Sequence, residues 1–307
     1  MIILQLMINF TLITMRTHKR IIALAALAMS LAACSDINPS SSGDVVRISA
    51  NIKPLVQTKV ADAGDKFESG DKIKVTNKSR TTNNVAVYTA AVSGETTTWS
   101  TSDILLWSGS GDNTFQAVHP ATASYESFTI PDNQVTGLDE ADWLTAEFTG
   151  AKAADASSEV SLDFTHRLAK ITVNIAKWTS EISEDLRSLS SAQIRTLSTE
   201  ASWDGEALKG NGQSKWIKAF LGEESDSFSA IIAPGTYASG ADILRVSINQ
   251  DRQSFSVKLK EGLTLKAGEH YVLSLTVGRD VLGIGSISIN PWLERTIDAT
   301  ANETDEN

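Results

Sequence analysis

The chain reads as an all-β protein arranged as two tandem sandwiches, and three observations predict it. Apolar residues recur with a period of two in segments spread from residue 45 to residue 277. Turn-forming clusters separate those segments: Ser69-Gly70-Asp71, Asn83-Asn84, Ser93-Gly94, Pro131-Asp132-Asn133, Pro234-Gly235 and Lys266-Ala267-Gly268. Helical spacing is nearly absent. Only 180–191, with Ile182, Leu186 and Leu189 behind Ser180 as a cap, predicts one short helix.

The elements follow in chain order. The segment MRTHKRIIALAALAMSLAACSD has a basic start (Arg16, Lys19, Arg20), an apolar run from Ile21 to Leu31, and small residues before Cys34. This is the pattern of a lipoprotein secretion signal, in which the Cys34 thiol is acylated and the chain is cut before it. The apolar run is shorter than the ~20 residues a membrane span needs. Met15 is the expected true start, 1–33 the signal, and 34–44, rich in Ser, Pro and Gly, a flexible tether.

The first strand is expected at 45–52, where Val46, Ile48, Ala50 and Ile52 alternate with Arg47, Ser49 and Asn51. The same alternation recurs at Ala169–Ile175, Leu244–Ile248, Phe255–Leu259 and Tyr271–Val277. The small, polar stretch 150–159, GAKAADASSE, suggests a boundary, giving one sandwich over 45–158, a second over 159–298 and a polar tail over 299–307. In this reading DFTHRLAKITVNI (163–175) opens the second sandwich. Its cluster of His166, Arg167 and Lys170 resembles a catalytic or ligand-binding group, but the alternation behind it predicts a strand mouth with edge or interdomain contacts.

Composition narrows function further. Cys34 is the sole cysteine, so neither an intramolecular disulfide nor a cysteine-based zinc site is possible. The net charge is -10, and removing 1–33 takes away three positive charges and no acidic ones, leaving -13. Such a surface repels phosphate backbones, so no nucleic-acid partner is expected. The remaining histidines, His119, His166 and His270, stand apart with no metal-ligand spacing, and no metal or cofactor is expected. GSGDN (109–113) does not open a helix as a phosphate loop would, and no G-x-S-x-G elbow occurs. The acidic runs Asp139-Glu140-Asp142 and Glu223-Glu224-Asp226 read as solvated turns. The chain is therefore expected not to be an enzyme. Seven tryptophans allow two readings, plugs at sandwich ends or a sugar-stacking platform.

Five phrases, in order, resemble the fimbrillin family of gut and oral anaerobic bacteria. FESGDKIKV (67–75) after Lys59-Val60 is similar to the family's "F..GD.I.V", and TFQAVHP (114–120) after DILLWS resembles "F.AYYP". DFTHRLAKITVNI matches "F.H.LAK..V.I", LKAGEHYVLSLTV (265–277) matches "L..G..Y...L.V", and SISINPW (286–292) matches "I..W". Lys59 stands where many relatives have Arg, and His119 stands at an aromatic position.

The resemblance implies two transthyretin-like Greek-key sandwiches in a lipoprotein exported to the outer membrane and assembled into surface pili (fimbriae) that support adhesion. It implies other pilin subunits and a trypsin-like processing protease as partners, with a host or bacterial surface ligand as a further one. In such relatives the protease removes the first strand and a neighbour's strand fills the groove. Here VVRISANI (45–52) is the strand to be removed, with Lys59 and then Lys53 as processing sites. The short acidic tail after Trp292 fits a tip or accessory role, whereas Ile287, Ile289 and Leu293 of SISINPWLERTI fit a donor segment. An alternative from another class is a lipid-anchored carbohydrate-binding protein for glycan capture, marked by exposed coplanar tryptophans. A third is a surface glycosidase, marked by two converging carboxylates.

Overall fold

Alternating side chains can bury one face only if strands pair, and the computed structural model shows how they do. The structure describes residues 44–52, 66–109, 111–153, 159–180, 182–184, 187, 189–222, 226–248, 253–277 and, for the backbone, 282–291.

In the first half the strands are β1 (Arg47–Ile52), β2 (Lys72–Asn77), β3 (Val85–Ser93), β4 (Thr96–Ser100), β5 (Asp112–His119), β6 (Ser127–Thr129), β7 (Leu144–Ala151) and β8 (Glu159–His166). In the second they are β9 (Ala169–Trp178), β10 (Leu189–Thr196), β11 (Glu200–Trp203), β12 (Leu208–Gly210), β13 (Lys215–Lys218), β14 (Phe220–Leu221) and β15 (Ser227–Ile232). These are followed by β16 (Gly235–Tyr237), β17 (Asp242–Ile248), β18 (Gln253–Lys258), β19 (Leu263–Leu265), β20 (Glu269–Val277) and β21 (Leu282–Pro291). A 3₁₀ turn forms at Asp139–Ala141.

One seven-stranded sheet runs in the order β1-β8-β7-β5-β2-β3-β4. Its two end strands, β1 and β4, also touch, so the sheet curls around its own core. That core holds Val46, Ile48, Ala50 and Ile52 of β1 with Ile73, Val75, Tyr88, Phe115, Leu162 and Phe164. Beyond it, a five-stranded sheet (β14-β15-β9-β20-β21) faces a four-stranded one (β13-β10-β17-β18). Between them lie Ile171, Val173, Phe228, Leu273 and Leu275 from the first, and Ile194, Leu244, Val246 and Val257 from the second.

Turn chemistry matches the sequence. Ser93-Gly94 closes the β3–β4 hairpin with Gly94 at φ 62°, a value glycine adopts without a Cβ clash. Gly235 has φ 156°, and a Cβ there would lie 2.8 Å from Leu197 Cδ1, so any larger residue is excluded on two grounds.

Two sequence expectations change. The sequence places 159–166 in the second sandwich, but β8 pairs with β1 in parallel over six residue pairs and with β7 at Leu144 and Thr145. Val160, Leu162 and Phe164 therefore enter the first core. Alternation defines a buried face but not which neighbour supplies it, and a polar stretch before a strand does not move that strand to a new sheet. The helix expected over 180–191 is overridden at its end, where Leu189 opens β10 against Ile248 of β17. Of its other positions, Glu181, Asp185, Leu186 and Ser188 lie outside the described residues.

Candidate functional site

Two places carry the features from which function can be argued: the seam between the cores, and the edge strand β1.

The seam is made by three strands that change core at one level. Ala117 belongs to the first core and Val118 to the second; Leu144 belongs to the first and Trp143 to the second. Phe164 belongs to the first and Leu168 to the second. In register the row runs His119, Leu144, His166 across β5, β7 and β8. Residues from 118 to 143 thus serve the second core although they precede the expected boundary, and β6 pairs with β11 to complete the junction.

The basic cluster of 163–175 lies on this seam. His166 Nδ1 is 2.9 Å from Asp142 Oδ1, with both side chains nearly excluded from water. Asp142 therefore departs from the solvated-turn reading: Asp139 and Glu140 are exposed, but Asp142 turns inward to His166. No signal in the acidic run itself marks this, because the partner is supplied 24 residues later.

Arg167 donates its backbone N–H to the Trp143 carbonyl at 2.9 Å and its Nε–H to Thr145 Oγ1 at 2.6 Å. Its guanidinium lies 3.7 Å over the Trp203 ring. Burial draws its pKa below the ordinary arginine value, opposed by the nearby Tyr125. A planar cation on an indole face is a strong pairing when desolvated. Arg167→Ala is expected to cost about 2 kcal/mol, from the lost stack and hydrogen bond. Arg167→Lys should recover less than half, because an ammonium cannot stack; equal urea midpoints for all three proteins would count against this clamp. Lys170 sits on β9 on the face opposite Ile171 and Val173.

The three histidines do not converge. His119 Nδ1 contacts the Lys72 carbonyl at 3.0 Å, and His270 Nε2 contacts Thr172 Oγ1 at 2.8 Å. Among the described residues no group of three metal-ligating side chains forms. An open cleft of about 510 Å³ near β6 and β11 is lined by Thr122, Ser124, Ser127, Thr129, Glu200 and Asn211 among others, with one carboxylate and no tryptophan.

The described tryptophans are dispersed and none is exposed. Trp99 meets Phe67, Trp107 meets Phe115, Trp143 stacks on Phe128, Trp203 lies under Arg167 and Trp216 under Arg245. These five rings each have a neighbour on face or edge and Trp178 packs against the second core, so the described tryptophans form no sugar platform. Trp292 lies outside the described residues.

The second place is β1. It stands at one end of the seven-stranded order, hydrogen-bonded as a strand to β8 alone. Just before it, the Val46 N–H donates to the Leu105 carbonyl and the Trp107 N–H to the Asp44 carbonyl, both at 2.9 Å. Tyr88 donates its hydroxyl to the Val46 carbonyl at 3.1 Å. Lys152 Nζ reaches Asp44 Oδ1 at 2.7 Å and holds that carboxyl below its usual pKa. Val46, Ile48, Ala50 and Ile52 all point into the core. An edge strand with four inward side chains is held mainly by burial and one ladder. Cys34, Lys53 and Lys59 lie outside the described residues.

Comparison with known proteins fits this geometry. A candidate cell-adhesion protein of Bacteroides uniformis is similar in structure, with a TM-score of 0.60 and 20% identity, covering 81% of this chain and 98% of that one. A candidate cell-adhesion protein of Bacteroides ovatus has a TM-score of 0.58 at 20% identity, covering 82% and 98%. At such identity the likeness is one of fold. A search of curated proteins finds no match. The fimbrillin-like family model matches residues 58–292, which begin after β1 and include β2 to β21. The chain belongs to the fimbrillin-like family.

Proposed function

We propose that this protein is a structural or accessory subunit of surface pili, made as a lipoprotein precursor, and that its assembly exchanges β1 for a strand of a neighbouring subunit. The observation that carries this reading is β1 itself: an edge strand, paired as a strand on one side only, that fills the first core with four residues at alternate positions. Its removal leaves unpaired β8 backbone groups and an apolar groove lined in part by Leu162, Phe164 and Tyr88. Both costs are relieved when another strand is added.

The processing bond would follow Lys59 or Lys53, which come after β1 in sequence. Cys34 would hold the precursor to the outer membrane until that cut releases it. SISINPWLERTI supplies a donor of matching period: Ile287, Ile289, Pro291 and Leu293 repeat the spacing of Val46, Ile48, Ala50 and Ile52. β21, which contains its first half, is likewise an end strand, paired with β20 alone.

The test is limited trypsin digestion of the folded full chain, with mass spectrometry of both products. The expected result is release of a fragment carrying Val45–Ile52 and a large product beginning after Lys53 or Lys59. That product should then bind a synthetic SISINPWLERTI peptide, and a peptide with Ile287→Asp and Ile289→Asp should not bind. If the digested protein keeps Val45–Ile52 covalently attached, the processing reading is wrong.

A further inference from the structure

The outer face of the four-stranded sheet differs from the rest of this acidic chain. Its strands, β10, β13, β17 and β18, contain Arg195, Lys215, Lys218, Arg245 and Lys258 but a single carboxylate, Asp242 at a strand end. The inner positions Ala192, Ile194, Leu244, Val246 and Val257 are buried in the second core, which sends the alternate residues outward. Lys218, Gln193, Arg245 and Ser256 form one cross-strand row, and Trp216 and Arg195 pair in the next. Four strands make a face about 15 Å wide.

Arg245 is the centre of this face. It stands on β17 and Trp216 on β13, with β10 between, yet the guanidinium lies 4.0 Å from the indole centroid, and Arg195 approaches the same ring at 5.9 Å. Held over the ring and used by none of the ion pairs among the described residues, the guanidinium keeps N–H donors for a sulfate or carboxylate, which a planar fork can grip in bidentate fashion. None of the ion pairs among the described residues uses Arg195, Lys218, Arg245 or Lys258. Asp132, at the rim, is paired with Lys215 and also feels the charge of Lys218, and Asp242 stands opposite Lys258 in register. Beside the cations run neutral hydroxyls, Ser247 and Ser254 lying 2.9 Å apart.

We infer that this face binds an anionic polysaccharide, a sulfated or uronate-containing chain laid across β13, β10 and β17. Its charge is opposite to that of the molecule as a whole, so it selects an anion locally while the remaining surface repels other acidic bodies. Serines and Gln193 offer hydrogen bonds suited to sugar hydroxyls. The one aromatic ring already carries Arg245, so no open face remains for base stacking as single-stranded nucleic acid requires. The inference concerns the adhesive part of the proposed function and holds whether or not β1 is exchanged.

The test uses the full chain in detergent, with dextran sulfate as the probe and neutral dextran of equal size as control. Binding to dextran sulfate alone is expected, weakening steeply as salt rises. The triple variant Arg195→Glu, Lys218→Glu, Arg245→Glu should bind about 100-fold more weakly or not at all. Lys72→Glu with Lys78→Glu, two exposed lysines away from the face, should leave binding within about twofold. Arg195→Gln with Arg245→Gln, checked for an unchanged urea midpoint, should give an intermediate loss and exclude misfolding as the cause. The inference fails if dextran sulfate does not bind at low salt, or if the triple variant binds as well as the wild type. It also fails if single-stranded DNA of equal charge binds more tightly, or if the triple variant abolishes only self-association. Strand exchange is read separately by the trypsin and peptide assay, which the triple variant should pass unchanged.

Discussion

Trp143→Ala is expected to lower the unfolding free energy by about 3–5 kcal/mol, a large share of the about 5–15 kcal/mol that holds a domain together. Trp143 is fully buried, stacks on Phe128 at 5.7 Å with planes 14° apart, and donates its Nε1–H to the Ser124 carbonyl at 3.1 Å. Its own carbonyl accepts from Arg167, and the next residue, Leu144, turns into the other core. Truncation leaves a cavity at the one level where three strands cross between cores, and strand backbone cannot collapse into it without breaking their register. Trp143→Phe keeps much of the packing and loses the hydrogen bond, so it should cost about 1–2 kcal/mol. Urea titration of both variants is the measurement. If Trp143→Ala unfolds at the wild-type midpoint, the seam does not bear the stability assigned to it.

The second large effect depends on pH. His270 lies on the outer side of β20, buried, with Nε2 2.8 Å from Thr172 Oγ1, which in turn is 2.8 Å from Ser229 Oγ. Burial, assisted by Lys170 on the neighbouring strand, lowers its pKa from 6.5 to about 3. The folded protein therefore keeps His270 neutral where the unfolded chain takes up a proton. Its contribution is complete above pH 6.5 and is lost as pH falls from 6.5 toward 3, at about 1.4 kcal/mol per unit. Between pH 7 and pH 5 the wild type should lose about 2 kcal/mol more than His270→Gln, which retains a hydrogen-bonding group but cannot ionise. Urea midpoints at the two pH values measure the difference, and parallel loss in the two proteins would remove His270 from the account.

Much of the fold can be read from local period. The alternations at 45–52, 169–175 and 271–277 correspond to β1, β9 and β20, because each strand buries one face and side chains alternate across it. Pairing choice was not legible. β8 carries Val160, Leu162 and Phe164 in clear alternation, yet nothing within it indicates that its partner is β1, more than a hundred residues earlier. Short strands such as β14, with two residues, carry no period at all. His166 and Arg167 lie at the junction of β8 and β9, but their partners Asp142 and Thr145 come from one other stretch and Trp203 from a second, so the contacts cannot be read from the cluster alone. The basic outer face is likewise invisible along the chain, since its charges are spread from residue 195 to residue 258 and only sheet register brings them together.

The parallel pairing of β1 with β8 has a mechanical consequence. β1 enters the ladder at one end, and β8 leaves it at the other, through His166, toward the second core. Tension between the start of β1 and the second core therefore acts along both strands in opposite directions. All six residue pairs of the ladder are loaded in shear at once, where an antiparallel hairpin pulled at its open end would unzip pair by pair. In the uncut chain, the edge strand is thus oriented to resist a pull from its own N-terminal side.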